Sequence, residues 1–208
     1  MFKIVYILLI LISILSICQA KENNDKAKGA VVGVAKNAAQ YTIDVGNGGR
    51  KILNIYDNTM VNLKGNKRLW LRYDTPHAST PYHHININPA VSGVKDTHSA
   101  ISSIHVAAAK PAGKILNALN SAAPYLTAAV VAVESYNLYD SWQKDQKEGT
   151  TKHREKAVVK LIAVNTGGYA GSSIGATVGT FILPGIGTMV GGVIGAMVGS
   201  SVAGDLVD

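Results

Sequence analysis

The residues best equipped for chemistry lie between Arg72 and Asn88. Within Tyr82–Asn88 (YHHININ) the alternation of a strand puts His83, Ile85 and Ile87 on one face and His84, Asn86 and Asn88 on the other. His83 thus falls on the apolar side and reads as a packed residue. His84 falls among asparagines on a polar face, which is expected to be exposed. The preceding run, Arg68–Asp74 (RLWLRYD), puts Trp70 and Arg72 on one face and Leu69, Leu71 and Tyr73 on the other. If the two runs pair, Arg72, Asp74, His77 and His84 converge. Two histidines as base and acid, with an arginine for a phosphate, suit metal-independent RNA cleavage, so His84, His77 and Arg72 are the candidate catalytic residues. Asp74, His77 and His84 also offer metal-ligand atoms, but their spacing matches no established zinc motif, and no metal or cofactor is assigned. Decoration of a small sheet by polar residues accounts for the same pattern.

Around these residues the chain reads as a small sheet. Gln40–Val45, Arg50–Tyr56, Arg68–Asp74 and Tyr82–Asn88 are short runs rich in β-branched and aromatic residues, separated by glycine, asparagine and proline turns. Lys64, Lys67, Arg68 and Arg72, interleaved with Trp70 and Tyr73, form a basic-aromatic patch able to touch nucleic acid. A charged strand edge explains the patch equally well. Phosphate loops, G-x-S-x-G, H-E-x-x-H and EF-hand patterns do not occur.

From Asp96 onward the pattern is helical. Gly113–Ala123 reads as a short helix stopped by Pro124, and Tyr125–Lys147 as an amphipathic one. The strongest pattern follows. Leu161–Gly204 holds no charged residue in 44 positions. Gly167, Gly171, Gly175 and Gly179 recur every fourth residue, Pro184-Gly185 makes a turn, and Gly187, Gly191, Gly195 and Gly199 repeat the step. Each row is a stripe without side chains along one helix face, where two backbones can approach closely. In water such glycines cost a lone helix about 0.8–1 kcal/mol each relative to alanine. The expected arrangement is a helical hairpin folded at Pro184-Gly185, packed either on protein or in a bilayer.

The charge distribution agrees. Of 20 basic and 13 acidic residues in 208, all after Lys160 are acidic, namely Asp205 and Asp208. A basic body with a formal charge of +7 suits an anionic surface. At the other end, Met1–Lys3, the apolar run Ile4–Ile17 and Cys18-Gln19-Ala20 make a signal-peptide pattern with cleavage after Ala20. An uncleaved anchor and a lipidated Cys18 are the alternatives. Cys18 is the only cysteine, which excludes a disulfide framework and a cysteine nucleophile in the mature chain.

Ser135-Tyr-Asn-Leu-Tyr-Asp140, Gly167-Gly-Tyr-Ala-Gly171, Pro184-Gly-Ile-Gly-Thr188 and Val190-Gly-Gly-Val-Ile-Gly195 resemble the C-terminal region of bacterial polymorphic toxins and secreted effectors. Arg72–Ile87 (RYDTPHASTPYHHINI) is similar to the histidine strand of toxin nuclease tips. The resemblance implies His77 and His84 as catalytic residues with Arg72 in support.

The expected fold is α+β: a signal peptide (1–20), a polar start (21–38), a small antiparallel β-module (39–95), a helical segment (96–151) and a glycine-zipper helical hairpin (152–208). The expected function is that of a secreted toxin-like protein whose hairpin meets membrane lipid, with self-association through the glycine rows. A nuclease in the β segment, with nucleic acid as partner, and a non-catalytic envelope protein with a self-packed hairpin are the alternatives.

Overall fold

A computed structural model describes residues 24–46, 49–61 and 65–208. The signal-peptide pattern over residues 1–20 and Lys64 of the basic patch lie outside the described residues. Helix α1 (Asn24–Gln40) leads into strands β1 (Tyr41–Val45), β2 (Lys51–Val61), β3 (Lys67–Asp74) and β4 (His84–Ile87). A single-turn helix α2 (Pro89–Ser92) and the two-residue strand β5 (Ser99–Ala100) follow. Three long helices complete the chain: α3 (Ser103–Glu148), α4 (Lys152–Ile182) and α5 (Ile186–Asp205).

The five strands form one antiparallel sheet in chain order, β1-β2-β3-β4-β5. Its apolar face carries Ile43, Leu53, Ile55, Leu71, Tyr73 and Ile85, all buried, and packs against Ala109 and Leu116 of α3. Ile186 and Met189 at the start of α5 fill the same core. The hairpin turn is therefore seated on the sheet. Tyr73 donates its hydroxyl to the Pro184 carbonyl, and burial pushes the phenol well above its ordinary pKa. Gly185 has φ +84°, and a Cβ there would lie 2.7 Å from Ile55 Cδ1, so both backbone conformation and space require glycine.

Residues 24–40 depart from the expected polar start. They form a buried helix whose Gly29 and Gly33, four apart, lie against α5. A Cβ on Gly33 would sit 2.7 Å from Val193 Cα, and one on Gly29 would overlap the Ala196 carbonyl oxygen. Val31 and Val34 pack on Ala122, Ala123 and Leu126 of α3, and Asn37 Nδ2 donates to the Met189 carbonyl at 2.9 Å.

Pro124 does not stop a helix: α3 runs through both Pro111 and Pro124. An interior proline costs a helix about 3 kcal/mol or more. Ala122, Ala123 and Leu126 are buried against α1 on either side of Pro124, and this packing holds the two segments in line.

The junction between α3 and α4 is held by one carboxylate. Asp145 accepts the backbone N–H groups of His153 (2.9 Å) and Arg154 (3.1 Å), while Thr151, at the N-cap position, makes no capping bond with its side chain. Burial of Asp145 favours its neutral form. The two N–H bonds and the charges of His153 and Arg154 outweigh that and hold its pKa below the usual carboxylate value. A carboxyl whose folded pKa is depressed contributes stability above its unfolded pKa, near 3.9, and loses it as pH falls through the folded value. Asp145→Asn is expected to lower the melting temperature at pH 7 and to flatten the loss of stability below pH 4. Thermal melts of both proteins across pH 2–7 check this.

Candidate functional site: the hairpin face and a buried histidine cluster

The glycine rows face each other as an antiparallel seam. Gly167 opposes Gly199, Gly171 opposes Gly195, Gly175 opposes Gly191, and Gly179 opposes Gly187. In each pair a Cβ built on one glycine would overlap the carbonyl oxygen of the other. All eight glycines lie in this seam, and the close backbone approach adds dispersion contact along its whole length.

This seam gives the hairpin two different faces. Among the residues one step after the glycines, Gly168, Ser172, Gly192, Ala196 and Ser200 are buried, under or beside α1. Ser200 there donates its hydroxyl across the seam to the Val164 carbonyl at 2.8 Å. Residues one step before the glycines, and those continuing the same four-residue step, point the opposite way on both arms, except Ile186 beside the turn, which is buried against the sheet. On α4 that row is Val158, Ile162, Thr166, Ala170, Ile174, Val178 and Ile182; on α5 it is Val190, Ile194, Val198 and Val202, continued by Leu206 just past the helix end. Every one of these residues is exposed, none is charged, and Thr166 is the only one with a polar side chain. At 1.5 Å per residue the α5 row is about 24 Å long. By length and composition α3 and α5 are also apolar enough to cross a membrane.

The open end of the hairpin is charged. Lys160 Nζ lies 3.2 Å from Asp25 Oδ2 and also bonds Asp208; burial works against its charge, but the two carboxylates outweigh it and hold its pKa above the ordinary lysine value. Lys152, Arg154 and Lys156 precede it on the first turns of α4. On the flank of α4, α1 and α3 border a cavity of about 660 Å³ lined by Val31, Val130, Leu138, Leu161 and Tyr169, with Lys36 at its margin. Lys36 bonds Ser173 Oγ at 2.7 Å and stands over the Tyr169 ring, where partial burial lowers its pKa.

The polar face of the sheet holds the second constellation. Strands β3 and β4 pair so that Asp74 faces His84 and Arg72 faces Asn86. Arg72, Asp74, His77 and His84 converge as their pairing requires, with one ligand atom from each of Asp74, His77 and His84 within 4.8 Å of the others. Their setting differs from expectation. His84 is not on an exposed face: its ring is 0% accessible, and Asp74 is 1% accessible. The alternation of β4 is right, but β5 pairs along it, and the rings of His77, Tyr82 and His98 close over His84 with centroids 5.2, 5.9 and 5.5 Å away. Arg72 is committed as well. Its Nε and Nη2 donate to Asp74 Oδ2 at 2.7 and 2.6 Å, and Asn86 Nδ2 donates to the same oxygen at 2.6 Å. The aromatic members of the expected nucleic-acid patch are used in packing: Tyr73 is fully buried, and Trp70 stacks on Tyr41 with centroids 5.1 Å apart.

Sequence reasoning missed the Gly29/Gly33 step, which has the same four-residue spacing as the hairpin rows and was the available signal for α1. It also missed His98. A non-glycine residue at φ +45° is a positional feature with no mark in the sequence.

Comparison with known proteins places both halves. Residues 24–119 match the C13G5.2-like N-terminal domain, and residues 147–206 match the C13G5.2-like glycine zipper domain. An uncharacterized Caenorhabditis elegans protein, C13G5.2, is 37% identical over 162 residues, which is 76% of this chain and 45% of that protein. The chain thus spans less than half the length of this relative. No solved structure matches the chain significantly. None of these matches is to a bacterial toxin. The chain is thus similar to the C13G5.2-like N-terminal domain over residues 24–119 and to the C13G5.2-like glycine zipper domain over residues 147–206.

Proposed function

We propose that this protein associates with membranes by laying the outer face of its α4–α5 hairpin on the lipid surface. The observation that carries this is the pair of exposed, uncharged rows on one side of the hairpin. An apolar face of this length on a folded protein marks a binding surface. Lipid suits it because Arg154, one turn before Val158 on the same row of α4 and partly exposed, stands at its basic end and can reach headgroups. The hairpin lies along the surface and does not enter tip first. Its turn is anchored on the sheet by Tyr73 and by Ile186 and Met189, and α1 covers the other face.

The test is flotation of the full chain with neutral and anionic vesicles. The protein is expected to float with anionic vesicles. Ile174→Glu with Val198→Glu is expected to reduce binding about 100-fold, taking roughly tenfold for each charge forced against the apolar region. Vesicle contents are expected to stay enclosed. Dye release would favour an inserting, toxin-like action over surface association. Protein that stays unbound in all vesicles, and sediments as a dimer that the double variant disrupts, would assign the face to a second copy of the chain.

A further inference from the structure

We propose that Asp74, His77 and His84, with His98 beside them, form a binding site for a divalent transition metal of the zinc class. Two observations carry this independently of the hairpin. The first is convergence: a carboxylate and two imidazoles offer atoms within 4.8 Å of one another. Tetrahedral zinc with bonds of about 2.0–2.1 Å needs ligand atoms roughly 3.3 Å apart, so the widest pair closes by at most about 1.5 Å. His77 sits in the short Thr75–Thr80 turn, is only partly buried, and can make that movement.

The second observation is the state of His84. Its Nδ1 lies 2.9 Å from the Tyr82 carbonyl oxygen. A carbonyl only accepts, so Nδ1 carries the proton and Nε2 presents a lone pair in the neutral ring. That Nε2 is completely buried and has no hydrogen-bond partner among the described residues. It points toward Asp74, whose Oδ2 is 4.0 Å away and whose Oδ1 also lacks a partner among the described residues. A buried acceptor without a donor is unfavourable unless something electrophilic meets it.

The surroundings are those of a metal site. Metal-binding imidazoles commonly donate their second nitrogen to a carbonyl, as His84 does to Tyr82, and metal-binding carboxylates are themselves hydrogen-bonded, as Asp74 is by Arg72 and Asn86. Ser79 Oγ lies 3.0 Å from His77 Nδ1 and orients that ring. His98 is held at φ +45° with its N–H on Asp96 Oδ1 at 3.1 Å, which keeps its ring 5.5 Å from that of His84. It is the nearest candidate for a fourth ligand. A nitrogen-rich set with one carboxylate favours zinc and its neighbours over magnesium or calcium. No zinc motif is legible because the ligands come from a strand end, a turn and a paired strand.

Calorimetric titration of the metal-stripped full chain with Zn²⁺ tests the site, with Co²⁺ absorption as a second readout. One zinc per chain and an intense tetrahedral Co²⁺ spectrum are expected. His77→Ala, at the partly exposed ligand and so compatible with folding, is expected to weaken zinc binding by more than the roughly 10–100-fold that loss of an outer-shell partner brings. Asp74→Asn is expected to do the same. His153→Ala, at a histidine paired with Glu148 elsewhere, is expected to leave binding unchanged. Undiminished binding in His77→Ala, loss of binding in His153→Ala, or no stoichiometric zinc in the wild-type chain would each overturn the proposal.

Discussion

Gly191→Ala is expected to destabilise the protein by about 2–3 kcal/mol, while Gly192→Ala, one residue later on the same helix, is expected to be neutral or to stabilise it by up to about 1 kcal/mol. Both changes gain the same helix propensity, about 0.8–1 kcal/mol. They differ in what the new methyl meets. At Gly191 it overlaps the Gly175 carbonyl oxygen and comes within 3.1 Å of Gly179 Cα, both backbone atoms that move only if the helices separate. Overpacking of this kind typically costs 1–3 kcal/mol and more when nothing can yield. At Gly192 the nearest atom is Ser172 Oγ at 3.4 Å, an ordinary contact. Chemical denaturation of the two variants measures the difference. A second alanine at the facing Gly175 is expected to cost less than the first, because the seam has already opened. Equal stabilities for Gly191→Ala and Gly192→Ala would show that the arms do not press together in solution.

Lys28→Met is expected to cost about 3 kcal/mol, although it places an apolar side chain in a helix. Lys28 Nζ lies 2.5 Å from Glu134 Oε1 and 3.5 Å from Asp25 Oδ1, and all three side chains are close to fully buried. This cluster joins α1 to α3, and through Asp25 and Lys160 it reaches α4. Removing this cation leaves Glu134 buried without its partner, while Asp25 keeps Lys160, and breaking such a pair typically costs 3–5 kcal/mol. Adding Glu134→Leu to Lys28→Met is expected to recover most of the loss, since replacing both charges removes the unpaired one. Exposed pairs such as Lys144–Asp140 should show no comparable effect when truncated. Denaturation curves for the single, double and surface variants form the required cycle. A Lys28→Met variant within about 0.5 kcal/mol of the wild type would mean that the cluster is solvated.

The contrast between the hairpin and the histidine strand explains what can be read without coordinates. Four-residue glycine spacing on both sides of Pro184-Gly185 is a local property, and helix geometry converts it directly into two facing stripes. The strand runs and their antiparallel pairing follow in the same way from alternation and turn residues. The alternation also separates His84 from Ile85 correctly, yet it carries no information about what lies above the polar face. That cover comes from Tyr82, from the Thr75–Thr80 turn and from β5 with His98, and no spacing rule states that these segments fold over one ring.

The amino-acid order alone was enough to establish a folded-back pair of close-packed helices and a small antiparallel sheet, because both depend on spacings within about twenty residues. Tertiary packing settled the rest. It carried α3 through Pro124, turned residues 24–40 into a buried helix, and seated the hairpin turn on the sheet. It also left one hairpin face bare while enclosing His84. Each of these outcomes depends on burial against residues distant in the chain, and burial is a property of the assembled surfaces rather than of any single segment.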